Sequence, residues 1–193
     1  MTDTAIRVMS VEKYLRTEET SLVKHKYVNG FVYQLHGQAG TTVAHDLIAG
    51  NIFTALRTLA RAKGFRAHTA DMRVTTADRR TSYYPDVLVT CEPRQDDARF
   101  SHSPYILVEV LPKRTAHTDH NAKYHACTAL PSLQTYLLVE QHERRAYVYQ
   151  CGEDGWQMRE YSRLESIPLP CLDAALSLDA IYEDVREPPT PDA

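Results

Sequence analysis

The stretch Tyr105–Leu111, YILVEVL, is apolar on both sides of a single carboxylate, Glu109. A short apolar run of this kind, bounded by turn residues, reads as a strand buried on both faces of a sheet. An unpaired carboxylate in an apolar interior costs several kcal/mol, so Glu109 must be protonated, paired with a cation or bound to a metal ion.

A second run, YYPDVLVTC (Tyr83–Cys91), repeats the pattern with Asp86. If the two strands are neighbours, both carboxylates lie on one face and converge on one cation. Mg²⁺ takes hard oxygen ligands, keeps several waters and needs only one or two carboxylates, so this pair is sufficient. Pro85 lacks the N–H a central strand donates, which places it at a strand start or irregularity where the chain bends and presents Asp86. The competing readings are a buried ion pair with Arg or Lys, or an acid facing water. Each is adequate for either residue alone, and it is the two acids together that favour a metal site.

A cation beside such a site would offset developing charge or assist the attacking water. Lys113 and Arg114 follow Glu109 closely, but Lys123 is the better-placed candidate. Asp119 lies four residues before it, on the same face of an expected helix, although a solvated ion pair has the same spacing. His117, His120 and His125 cluster there without the spacing of the zinc-protease helix. Serine-nucleophile, phosphate-loop and dinucleotide motifs are absent from the sequence.

Outward from these strands, SVEKYLRTEE (Ser10–Glu19) predicts a helix capped by Ser10. HKYVNGFVYQL predicts a hairpin turning at Asn29-Gly30, because this pair tolerates the positive φ angles of a type I′ turn. Thr42–Lys63 places Val43, Leu47, Phe53, Leu56 and Leu59 roughly on one face and reads as the longest helix. Strands are expected in FRAHTADMRVTT, YYPDVLVTCE, PYILVEVLP, LQTYLLVEQ, RRAYVYQ and WQMREYS, with Asp154-Gly155 turning between the last two. A helix is expected over about 119–130. The order describes an α/β or α+β fold, a mixed sheet flanked by helices, forming one domain over 1–185 and a disordered Pro-rich tail over 186–193.

The charge balance of −3 gives no basic tail or patch, so any nucleic-acid contact must be local. Cys91, Cys127, Cys151 and Cys171 form no CxxC pair and read as reduced, small apolar residues. The N-terminus lacks a basic stretch followed by an apolar run, and no segment approaches the roughly 20 apolar residues of a membrane span. A soluble, cytoplasmic protein is expected.

Taken in order, HKYVNGFVYQLHG, AHDLIAGNIFTAL, ADMRV, YYPDVLVTCEPR, YILVEVLPKRT, DHNAKYHACTALPSLQTYLLVEQ and LDAIYEDV resemble the Uma-two family of the PD-(D/E)XK nuclease superfamily. The resemblance runs from about Ser10 to Val185. It implies a restriction-endonuclease-like core and metal-dependent hydrolysis of phosphodiester bonds in DNA with Mg²⁺ or Mn²⁺. Pro85-Asp86 matches the PD element and Glu109 the acid of (D/E)XK, while the usual lysine two residues later is Leu111 here. By resemblance that role passes to Lys123, with Asp119 beside it, His45 and Asp71 in supporting roles and the Val110 carbonyl as a further metal ligand. Relatives typically read HEYVDG where this chain reads HKYVNG, so Lys26 and Asn29 each replace an acid. VEVLPKRT likewise replaces VEVLSPST. The alternatives are a decayed nuclease fold that binds nucleic acid or serves assembly, and a hydrolase acting on another substrate. A homodimer is expected by analogy, since cutting two strands needs two sites.

Overall fold

The protein is described by a computed structural model over residues 7–35, 42–76, 78–93, 98–111, 130–162 and 164–186. Helix α1 (Val11–Thr20) begins where expected, its backbone N–H at Lys13 donating to the Ser10 hydroxyl. Strands β2 (His25–Val28) and β3 (Phe31–Gln34) form the predicted hairpin, with Asn29 at φ 49° and Gly30 at φ 93° in the turn. Helix α2 (Val43–Ala62) is capped by Thr42, whose hydroxyl accepts from His45 N–H at 3.1 Å. Its fully buried Ile48, Ile52, Leu56 and Ala60 recur every four residues, a single stripe that faces the core.

The strands form two six-stranded sheets rather than one. In the first, β1 (Arg7–Val8), β3, β2, β6 (Thr81–Tyr83), β5 (Arg73–Thr75) and β8 (Phe100–Ser101) lie in that order. The second runs β12 (Gly155–Ser162), β11 (Arg145–Gly152), β10 (Thr135–Glu140), β9 (Pro104–Leu111), β7 (Val87–Thr90) and β4 (Arg66–Thr69). A separate hairpin, β13 (Ser166–Leu169) and β14 (Ala174–Ser177), leads into the one-turn helix α3 (Leu178–Ile181).

Two stretches expected to be continuous strands are broken between the sheets. FRAHTADMRVTT turns after Thr69, where Met72 N–H donates to the Thr69 carbonyl at 3.0 Å, and β4 and β5 enter different sheets. YYPDVLVTCE divides at Tyr84-Pro85-Asp86 into β6 and β7. Strand pairing is long-range, so hydrophobic pattern cannot reveal the change of sheet, although Pro85 marks the spot.

Strands β9 and β10 pair in parallel and are buried on both faces. One face, with Val87, Val89, Ile106, Val108, Val110, Leu137 and Val139, packs against α2, α3 and the β13–β14 hairpin. The other, with Leu88, Leu107, Leu111, Tyr136 and Leu138, packs against Val74 and Tyr83 of the first sheet and against Leu130 and Leu133. This sandwiching explains the unbroken apolar text of YILVEVL, each fully buried Leu or Ile contributing about 2 kcal/mol by its removal from water.

Cys91 and Cys151 are exposed, not core residues as their small apolar character suggested, and Cys171 is half-buried. The expected helix over about 119–130 falls largely outside the described residues, as do Cys127 and residues 187–193 of the tail. Among the described residues no helix is long and apolar enough to cross a membrane.

Candidate active site

Strands β7 and β9 run antiparallel with Val87 opposite Val108 and Leu88 opposite Leu107. Asp86 immediately precedes β7, beside the part of β9 that carries Glu109 and Val110. Glu109 alternates with Val108 and Val110, whose side chains pack toward α2, so its own leaves the opposite face. It is 8% exposed, a buried carboxylate near the end of its strand.

Asp86 sits in the bend after Pro85, one residue before β7 begins. Its Oδ2 accepts the backbone N–H of Val110 at 2.7 Å. The same oxygen lies 3.5 Å from Nε2 of His45, on the first turn of α2. That distance is long for a hydrogen bond and is better described as an ion-pair contact. The His45 pKa is raised: the Asp86 carboxylate at its ring is the main cause, with Glu109 and Asp46 adding their charge against the opposing effect of burial. His45, Asp86 and Glu109 are thus brought into one electrostatic unit. Val110 also belongs to it, through the N–H it donates to Asp86.

Asp71 is placed differently. Its carboxylate is largely exposed and pairs with Lys24 at 2.6 Å. It lines a cleft of about 370 Å³ with Glu18, His68, Arg73, Tyr84 and Arg99, none of which belongs to the acid pair. The two departures from HEYVDG lie on the β2–β3 hairpin. Asn29 serves the positive-φ turn, and the Lys26 ammonium stands 6.0 Å from the centre of the Tyr33 ring. Asp119 and Lys123 lie outside the described residues, as do His117, His120 and His125.

Two arrangements escaped the sequence reading. Gln141, 5% exposed just past the end of β10, donates from Nε2 to the Leu111 carbonyl at 2.8 Å and accepts the Thr42 hydroxyl at Oε1 at 2.5 Å. Its only signal in the sequence is a polar residue closing the apolar run TYLLVEQ. The other is a second acid–histidine pair, Glu18 on α1 and His25 on β2. Glu18 Oε1 accepts His25 N–H at 2.8 Å and the Tyr84 hydroxyl at 2.9 Å, while Oε2 meets His25 Nδ1 at 2.8 Å. Burial, then the Glu18 hydrogen bond and charge, hold the Tyr84 pKa well above its ordinary value. Arg73 lies beside this cluster between the rings of Tyr14 and Phe100, at 5.6 and 5.5 Å.

Among the described residues no group of three His, Cys, Asp or Glu side chains is arranged to hold a metal ion. The donor chemistry of two carboxylates at a strand end nevertheless fits a divalent hard cation that keeps most of its water.

The family model for Uma2, described as "Putative restriction endonuclease", matches residues 11–180. Slr1290, an uncharacterized protein of Synechocystis, is 28% identical over 176 residues, spanning 90% of this chain and 91% of the relative. A second uncharacterized Synechocystis protein, sll1609, is 27% identical over 158 residues, covering 80% of this chain and 88% of its own. The crystal structure of a putative nuclease belonging to DUF820 from Anabaena variabilis shares the fold with a TM-score of 0.71 at 17% identity, covering 90% of this chain and 97% of that one. A family model that spans most of the chain, together with a shared fold, makes this protein a member of the Uma2 family.

Proposed function

We propose that the protein is a Mg²⁺- or Mn²⁺-dependent endonuclease that hydrolyses phosphodiester bonds in DNA. The observation that supports this reading is Asp86 Oδ2, which accepts the Val110 N–H next to Glu109 and lies 3.5 Å from His45 Nε2 on α2. Family membership supplies the nuclease class, and the carboxylate pair supplies the chemistry.

Asp86 and Glu109 would hold the divalent ion, with the Val110 carbonyl as a further oxygen donor. When bound, the ion lowers the pKa of a water and offsets charge that builds on the phosphate. Asp86 is prevented from swinging away by the Val110 N–H. His45 balances part of the negative charge that two neighbouring acids create. Lys123 orients or helps activate the attacking water, supported by Asp119. DNA would be cut in the cytoplasm by a homodimer, one site per strand.

Relaxation of supercoiled plasmid tests the reading. Wild type with Mg²⁺ or Mn²⁺ is expected to nick, chelation to stop it, Glu109→Ala to abolish it and Lys123→Ala to reduce it. Wild type that binds plasmid in a gel shift but never nicks would overturn the enzyme in favour of a binding module that keeps the nuclease fold. Absence of DNA affinity even at low salt, where phosphate contacts are strongest, would point to another substrate.

A further inference from the structure

Three elements meet at the acid pair: α2 carries His45, β9 carries Glu109, and the bend before β7 carries Asp86. A ring of contacts closes around them. The Leu111 carbonyl accepts from Gln141 Nε2 at 2.8 Å, and Gln141 Oε1 accepts the Thr42 hydroxyl at 2.5 Å. Thr42 Oγ1 in turn accepts His45 N–H at 3.1 Å. His45 Nε2 stands 3.5 Å from Asp86 Oδ2, and that oxygen accepts Val110 N–H at 2.7 Å, one residue from Leu111.

From this ring we infer that Gln141 is a positioning residue for the nuclease site, fixing the distance between the first turn of α2 and the end of β9. The inference rests on the function proposed above. An amide suits the position because it donates to a carbonyl with one end and accepts a hydroxyl with the other, and Gln141 does both while 5% exposed. A buried donor and acceptor that are both hydrogen-bonded hold their partners more rigidly than an apolar contact does. Thr42 caps α2 and docks it with the same oxygen, so the cap is also the hinge pin of the site. Positioning matters at this scale because misplacing a reacting group by about 1 Å costs on the order of a hundredfold in rate.

The test compares Gln141→Met, which keeps the length and removes both hydrogen bonds, with Gln141→Asn, which keeps the amide but is one methylene too short to span both partners. Thr42→Ser preserves the hydroxyl and serves as the conservative variant. Two readouts are taken on protein shown to be folded by thermal melting: kcat and KM for plasmid nicking with Mg²⁺, and the NMR resonances of the Val110 amide and the His45 ring without metal. Both Gln141 variants are expected to lower kcat about ten- to a hundredfold with KM for DNA unchanged, and to shift the Val110 and His45 resonances. Thr42→Ser is expected to retain the wild-type rate and spectrum.

A folded Gln141→Met or Gln141→Asn protein with wild-type kcat and unshifted Val110 and His45 resonances would overturn the inference. Should Gln141→Met fail to fold, Gln141→Asn decides the matter. If wild type does not nick DNA, the proposed function fails on its own, and the resonances still decide whether Gln141 sets the geometry of His45 and Asp86.

Discussion

The molecule holds two acid–histidine pairs, and they are built in opposite ways. Glu18 is closely held: three donors reach its two oxygens within 2.9 Å, and its side chain is 3% exposed. Asp86 accepts one hydrogen bond among the described residues, with His45 standing off at 3.5 Å, and its side chain is 19% exposed. With three of its roughly four acceptor sites used and almost no exposure, the Glu18 carboxylate serves as a joint between α1, β2 and the Tyr84 segment. A partly exposed carboxylate with one backbone donor, beside a histidine and a second acid, is the kind of group found at working sites.

The largest expected effects come from removing each acid in turn. Asp86→Asn and Glu109→Ala should lower nicking at least about a hundredfold, since each removes a carboxylate that would hold the divalent ion. Neither should lower the melting temperature by more than a few degrees. Glu18→Ala should do the reverse. Leaving His25 N–H and the Tyr84 hydroxyl buried without their acceptor costs about 3 kcal/mol, a fall in melting temperature on the order of 10 °C for a chain of this size. The comparison breaks if Glu109→Ala melts as far below wild type as Glu18→Ala.

Tyr84→Phe sharpens it with a smaller cut. This variant removes one of the three donors and leaves the ring, so about 1 kcal/mol is expected by urea denaturation. A loss as large as that of Glu18→Ala would mean that the tyrosine, rather than the carboxylate, is the centre of the joint.

Glu92 extends the argument to pH. Burial alone would raise its pKa, but hydrogen bonds from Ser101, His102 N–H, Thr90 and Ser103 N–H together outweigh burial and hold it below the ordinary 4.5. A carboxyl whose folded pKa is lowered stabilises the fold above its unfolded value and loses that contribution as pH falls through the folded one. Wild type should therefore melt above Glu92→Gln near neutral pH, and the gap should close as pH falls below 4.5. A gap that does not change with pH would show that the glutamate charge is not what those donors hold.

How much of this was legible in the sequence follows the range of the interactions. The Ser10 cap, the Asn29-Gly30 turn and the extent of α2 are local, and the text predicts them, but of the expected α2 face only Leu56 belongs to the fully buried stripe, and Val43 is exposed. Asp86 and Glu109 were found because a charge inside an apolar strand demands an explanation wherever the strand goes. The division of β4 from β5 and of β6 from β7 between two sheets depends on partners far along the chain, which no periodicity records. Gln141 was missed for the same reason: its partners Thr42 and Leu111 lie 99 and 30 residues away.

Asp71, paired with Lys24 in the structure, carries the smallest expected effect. A supporting role at the site would make Asp71→Ala costly to nicking. In the structure the carboxylate instead meets Lys24, both groups substantially exposed, on the rim of the cleft beside Glu18 and Tyr84. Solvent and salt screen such a pair, and its loss is worth about 0.5 kcal/mol. Asp71→Ala is accordingly expected to nick plasmid within about threefold of wild type, since that small a change in free energy is worth only a few-fold in any equilibrium it touches. Raising the salt should erase even the small difference in stability. A hundredfold loss of nicking at unchanged stability would restore Asp71 to the site, and would require the Lys24 pair to open when DNA binds.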